Sequence, residues 1–128
     1  MSRTFFASKT SKNHLSAAVH IPQASDFLFV SGQLGIDPAT GKMVADDAGA
    51  QAAQVMKNLR SVLEEAGFSM EEVVKTMVYA AVRVDMPAIN AAYADAMGGH
   101  KPARSAVLVT FPNPAVKVEV EAIAIRKK

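Results

Sequence analysis

The chain has 128 residues, half of them apolar and 20% charged, and it carries no cysteine. That is the length and composition of one globular domain, and it excludes a disulfide framework, a thiolate zinc site, an iron–sulfur cluster and a cysteine nucleophile. Fourteen basic side chains against 12 acidic ones leave a net charge of only +2, which gives little footing for nucleic-acid binding.

Asp26 to Ser31 is β-branched and aromatic-rich, which predicts a buried strand ending at Gly32. Asp37-Pro38-Ala39-Thr40-Gly41-Lys42 predicts a turn. Ala52, Val55, Met56, Leu59, Val62, Leu63 and Ala66 recur at three- and four-residue spacings and predict one face of a helix. Asp46 and Asp47 suit its positive end, and Gly67 suits its stop. Ser69-Met70-Glu71-Glu72 matches a capping box. Val73 to Val84 predicts a strand, and Asp85 with Pro87 predicts the start of a second helix. Met86, Ile89, Ala92, Tyr93 and Ala96 share a face of that helix, which stops at Gly98-Gly99. Ala103–Thr110 and Val116–Ile125 predict two final strands, broken at Phe111-Pro112-Asn113-Pro114.

This order predicts a single α+β domain over residues 1–128, with two helices on one face of a mixed sheet. The other sheet face stays apolar and open in a monomer, which predicts an oligomer. No run reaches the roughly 18 apolar residues of a membrane helix. Met1 to Phe6 lacks the long apolar segment of a signal peptide, so a cytoplasmic protein is expected. Arg126-Lys127-Lys128 is expected to be a solvated tail.

Three places could carry chemistry. Alternation puts Glu119, Glu121, Ile123 and Ile125 on one strand face, opposite Val118, Val120, Ala122 and Ala124. Carboxylates beside such apolar neighbours must be paired or solvated, so the glutamates mark either a wet strand end or a site. Arg104 opens an apolar strand. A hairpin folded at Pro112-Asn113 would set it opposite residues 119 to 121, as a structural salt bridge or as an anion clamp beside a general base. Ser31-Gly32-Gln33 closes a buried strand, as a bulge or as a backbone approach for a ligand. His14, His20 and His100 have no metal-ligand spacing, so no metal site is expected.

Lys101-Pro102-Ala103-Arg104-Ser105-Ala106-Val107 and Val118-Glu119-Val120-Glu121-Ala122-Ile123-Ala124 closely resemble the C-terminal signature of the YjgF/RidA family. These are the reactive imine deaminases, once called perchloric-acid-soluble ribonucleases. Phe29 to Gly35, Asp37 to Gly41, Val74-Lys75-Thr76 and Asn90-Ala91-Ala92-Tyr93 support the match. The resemblance implies a chorismate-mutase-like fold and a homotrimer with sites in clefts between subunits. It implies cofactor-free hydrolysis of small 2-imino acids, such as 2-iminopropanoate, to 2-oxo acids and ammonia. By the same resemblance, Arg104 binds the substrate carboxylate and Glu119 activates water. Ser31, Gly32 and Ala106 contact the substrate, and Asn90 is a supporting residue. Many members carry a pocket tyrosine where this chain has Ser16-Ala17-Ala18, with His20 nearby. That departure keeps open a non-catalytic, carboxylate-binding trimer of the same fold. Endoribonuclease activity is the weakest of the three readings.

Overall fold

The apolar periodicities resolve into one sheet and two helices in a computed structural model that describes residues 4–6, 18–21 and 25–127. In chain order, β1 (Thr4–Phe6), β2 (Ala18–Ile21) and β3 (Ser25–Leu34) are followed by a short ribbon of β4 (Ile36–Asp37) and β5 (Lys42–Met43). Then come α1 (Ala48–Glu65), β6 (Val73–Ala80), α2 (Met86–Met97), β7 (Ala103–Leu108) and β8 (Val118–Lys127). The main sheet has the order β1-β2-β3-β8-β6-β7. Its one parallel pair is β6 with β7, which makes the sheet mixed.

α1 forms where the three- and four-residue spacing predicts it. Val55, Met56, Leu59, Val62 and Leu63 are buried against Leu28 and Val30 of β3 and Val118, Val120, Ala122 and Ala124 of β8. Asp47 is the N-cap, its Oδ2 accepting from the Ala50 N–H at 2.8 Å. Asp46 instead pairs with Lys117 Nζ at 3.2 Å. The capping box at Ser69 and Glu72 starts a short 3-10 turn. α2 packs Ile89 into the same core, with Met86, Ala92, Tyr93 and Ala96 against its margin. Both helices therefore cover one sheet face.

Several expectations change. β3 runs through Gly32 to Leu34, because a bulge absorbs the glycine without ending the strand. β6 stops at Ala80, and Arg83–Asp85 is a 3-10 turn. Asp85 occupies the α2 N-cap position, but its backbone is already helical and its side chain makes no cap bond. Arg126 does not belong to a solvated tail. It continues β8, its Nη2 lies 3.0 Å from Asp26 Oδ2, and its guanidinium covers the Phe68 ring at 4.4 Å.

The largest correction concerns β7. It does not fold back on β8 as a hairpin. β6, α2 and β7 form a crossover unit, which lays β7 parallel to β6 at the sheet edge. Thr76 pairs with Arg104, while Tyr79 pairs with Glu119 on the other side of β6. β6 therefore separates Arg104 from Glu119.

The connection from β7 back to β8 is held by a buried amide that periodicity gave no reason to single out. Gln51 on α1 is fully buried. Its Nε2 donates to the Ala45 and Ala115 carbonyls at 2.9 and 3.0 Å, and its Oε1 accepts from the Lys117 N–H at 2.9 Å. Gln51→Leu would leave those backbone groups without partners. The expected cost is about 3 kcal/mol, or roughly 10 °C in Tm for a domain of this size. Calorimetry checks it, and an unchanged Tm would refute the role.

Candidate active site

The predicted site residues fall into two groups, one on each face of the sheet. The first lies on the helix side. Paired residues of neighbouring strands share a face, so Arg104 lies on the side of its partner Thr76, which is fully buried beneath α2. Arg104 Nη2 donates to Asn90 Oδ1 at 2.8 Å. Its guanidinium stacks 4.8 Å above the Tyr93 ring, and Tyr93 Oη is in turn 2.7 Å from Thr76 Oγ1. Asn90 and Tyr93 sit three residues apart on α2, so one helix turn holds the guanidinium from two directions. A cleft of about 340 Å³ opens beside it, lined by Asn90, Tyr93, Met97, His100, Pro102 and Arg104. Ala106 lies two residues along the same exposed edge strand.

The second group lies on the open face. Glu119 projects between the buried Val118 and Val120, opposite Tyr79. In β3, Val30 pairs with Ala122 and Gln33 with Val120, so Ser31 and Gly32 together face the single residue Glu121. This bulge brings the Gly32 backbone against the Glu119 side chain. A Cβ on residue 32 would lie 2.5 Å from Glu119 Cδ and 2.7 Å from its Oε2. Glycine is required there for close approach. Gly32→Ala is expected to displace the Glu119 carboxyl and to lower any activity that depends on it by at least about tenfold. Comparing kcat with Tm checks this, since a lost kcat with a retained Tm separates the carboxyl's position from general unfolding.

Burial holds the Glu119 carboxyl above the ordinary carboxylate range, and the neighbouring Glu121 raises it further. The Tyr79 phenol donates to Glu121 Oε1. That bond, followed by burial and the charges of Glu121 and Glu119, pushes Tyr79 up to about 12. Neither Tyr79 nor its bond to Glu121 was signalled by the sequence, because the contact is diagonal across two strands.

Within one chain the structure joins Arg104 with Asn90 and Glu119 with Gly32, but it does not join Arg104 with Glu119. Apart from the backbone of Ala18, Ser16-Ala17-Ala18 lies outside the described residues, as does the His20 side chain. His100 Nε2 donates to the Val73 carbonyl at 2.7 Å. Among the described residues no cluster of side chains is placed to hold a metal ion, and no helix is long and apolar enough to cross a membrane.

The chain belongs to the endoribonuclease L-PSP family, also known as YjgF/RidA, whose model matches residues 7–126. The 2-iminobutanoate/2-iminopropanoate deaminase of Salmonella typhimurium is 40% identical over 103 residues, covering 78% of this chain and 80% of that protein. A RutC family protein of Pyrococcus horikoshii is 42% identical over 105 residues, covering 82% of this chain and 83% of that one. Among solved structures, E. coli TdcF with bound serine superposes with a TM-score of 0.83 at 29% identity, covering 96% of this chain and 98% of that one.

Proposed function

We propose that this protein hydrolyses small 2-imino acids and their enamine tautomers to 2-oxo acids and ammonia, without a cofactor. Each site would be completed by a second copy of the chain. The observation that carries the reading is the split arrangement: an oriented arginine on one face and a carboxyl of raised proton affinity on the other. Arg104, steadied by Asn90 and Tyr93, would bind the substrate carboxylate through two parallel hydrogen bonds. The partner subunit's Glu119 would face the imine carbon. Backbone at Ser31, Gly32 and Ala106 would contact the substrate.

The chemistry follows from those positions. Water oxygen bonds to the carbon of the protonated imine while Glu119 takes a proton from that water. Glu119 returns this proton to the nitrogen. The C–N bond then breaks and ammonia leaves. The remaining hydroxyl proton passes to the freed carboxylate, giving the 2-oxo acid. A base of raised proton affinity suits both halves of this exchange near neutral pH. The relatives named as imine deaminases support the reaction class.

The same reading includes a cytoplasmic homotrimer. Its exposed edge strand and the half-exposed Phe29, Val107 and Leu108 give apolar surface for the contact. In a coupled assay, an amino-acid oxidase generates imines and semicarbazide traps what remains. The protein is expected to suppress semicarbazone formation. No suppression on any imine would instead favour a trimer that binds small carboxylates without turnover. The Arg104 cleft favours that second reading, because it is formed within one chain without Glu119. Ribonuclease activity rests on the family description and on the names given to similar solved structures, and the small net charge lends it no support.

A further inference from the structure

Tyr79 and Glu121 stand beside Glu119 but have no role in the steps above. Glu121 is two residues along β8 from Glu119, on the same face. Register sets Tyr79 opposite Glu119 and Met77 opposite Glu121. The Tyr79 phenol therefore reaches diagonally across the strands to donate to Glu121. On the other side, the Ser31–Gly32 bulge faces Glu121, and Gly32 packs against the Glu119 carboxyl. Glu119 is thus enclosed between a glycine backbone and a second carboxylate that is anchored by a phenol. Two carboxylates at adjacent same-face positions repel, and an anchor keeps the second from swinging into solvent to relieve that repulsion.

We propose that Tyr79 and Glu121 are a positioning pair for Glu119, the phenol pinning Glu121 so that its negative charge stays beside the base. The inference rests on Glu119 being the group that activates water. The charge of Glu121 makes Glu119 hold the proton it takes from water until the nitrogen needs it. Few other charges compete. Just before β8, Lys117 is engaged with Asp46. On β6, Lys75 lies opposite Ile123, beyond Glu121. At this level β3 offers Ser31, Gly32 and Leu34, and β7 offers Ser105 and Val107 beside Met77 and Tyr79, none of them charged. Asp26 of β3 is paired with Arg126, and Arg104 of β7 lies on the opposite sheet face. The raised proton affinity of Glu119, caused first by burial and then by Glu121, agrees with this placement.

The test follows the Glu119 carboxyl directly, by carbon-13 NMR titration of labelled glutamate, alongside pH–rate profiles for imine hydrolysis. Wild type is compared with Glu121→Gln, Tyr79→Phe and the double variant. Tyr79→Phe removes only a hydroxyl, so the ring packing is kept. In Glu121→Gln, the Glu119 titration and the acid limb of kcat/KM are both expected to move to lower pH. Tyr79→Phe is expected to lower kcat about tenfold with little change in KM, the worth of one hydrogen bond to a charged group. The double variant should match Glu121→Gln alone, because the phenol acts only through Glu121. An unmoved Glu119 titration in Glu121→Gln would overturn the proposal, as would a Tyr79→Phe loss that adds in full to that of Glu121→Gln. If wild type turns over no imine, the reading of Glu119 as base fails, and the titration alone still decides whether the pair sets its proton affinity.

Discussion

Glu119→Gln is expected to lower kcat for imine hydrolysis by about 10²–10⁴-fold, the usual worth of a positioned general base. Gln keeps the shape and the contact with Gly32 but cannot accept a proton from water. The same substitution should stabilise the fold. Burial and Glu121 raise the folded-state proton affinity of Glu119 above its unfolded value, so its ionised form is disfavoured in the native protein. Such a group costs nothing below the unfolded pKa, where both states are protonated. The cost grows as pH rises through the window between the two values and is complete above the folded one. Glu119→Gln should therefore be more stable than wild type at neutral pH, with the difference closing below about pH 4. Thermal unfolding across pH checks the stability arm and stopped assays check the kinetic one. A variant that is inactive and also less stable at neutral pH would mean that the carboxylate is a structural partner.

Arg104→Ala is expected to lower kcat/KM by tenfold to more than a hundredfold, since a charge-assisted hydrogen bond is worth about 1.5–3 kcal/mol. Most of the loss should appear in KM, because the guanidinium holds a carboxylate that persists unchanged through the reaction. Arg104→Lys should recover little. An ammonium cannot form two parallel bonds to a carboxylate, and it lacks the planar face that stacks on Tyr93. Initial rates against imine concentration separate the two parameters. Full activity in Arg104→Lys would show that only a point charge is needed. Stability should barely change, since Arg104 lies exposed on the edge strand.

How far the sequence carries these conclusions differs from element to element. α1, the capping box at Ser69 and the alternation along β8 could be read directly, because each is written in local spacing. The alternation also set Glu119 on the face opposite Val118 and Val120, but which of the two faces is buried came only from the packing of the helices. The partner of β7 could not be read. Adjacent strands joined by Pro112-Asn113 suggest a hairpin, but strand order is a property of the whole sheet, and the crossover through α2 seats β7 against β6. That single change moved Arg104 to the opposite face from Glu119. Buried polar residues were also hidden. Gln51 lies among the apolar positions of α1, and its role depends on carbonyls from segments up to 64 residues away. Asn58 is similar, with its Nδ2 donating to the Leu34 and Ile36 carbonyls at 2.9 Å. Arg104, Glu119 and Glu121 stand out as charges in apolar strands, and the family signature supplied the roles of the first two, whereas the pairing of Tyr79 with Glu121 acquires meaning only from strand register.

The most direct measurement mixes two impaired proteins and assays them at imine concentrations well below the wild-type KM. Arg104→Ala and Glu119→Gln chains would be unfolded together in equal amounts, refolded and assayed for imine hydrolysis. If each site takes Arg104 from one copy and Glu119 from another, random assembly leaves about one quarter of the sites intact, as expected for a head-to-tail ring interface. Activity near that fraction, above that of either variant alone, is the predicted result. A mixture that forms oligomers yet shows no more activity than the average of its two parents would contradict a site shared between subunits.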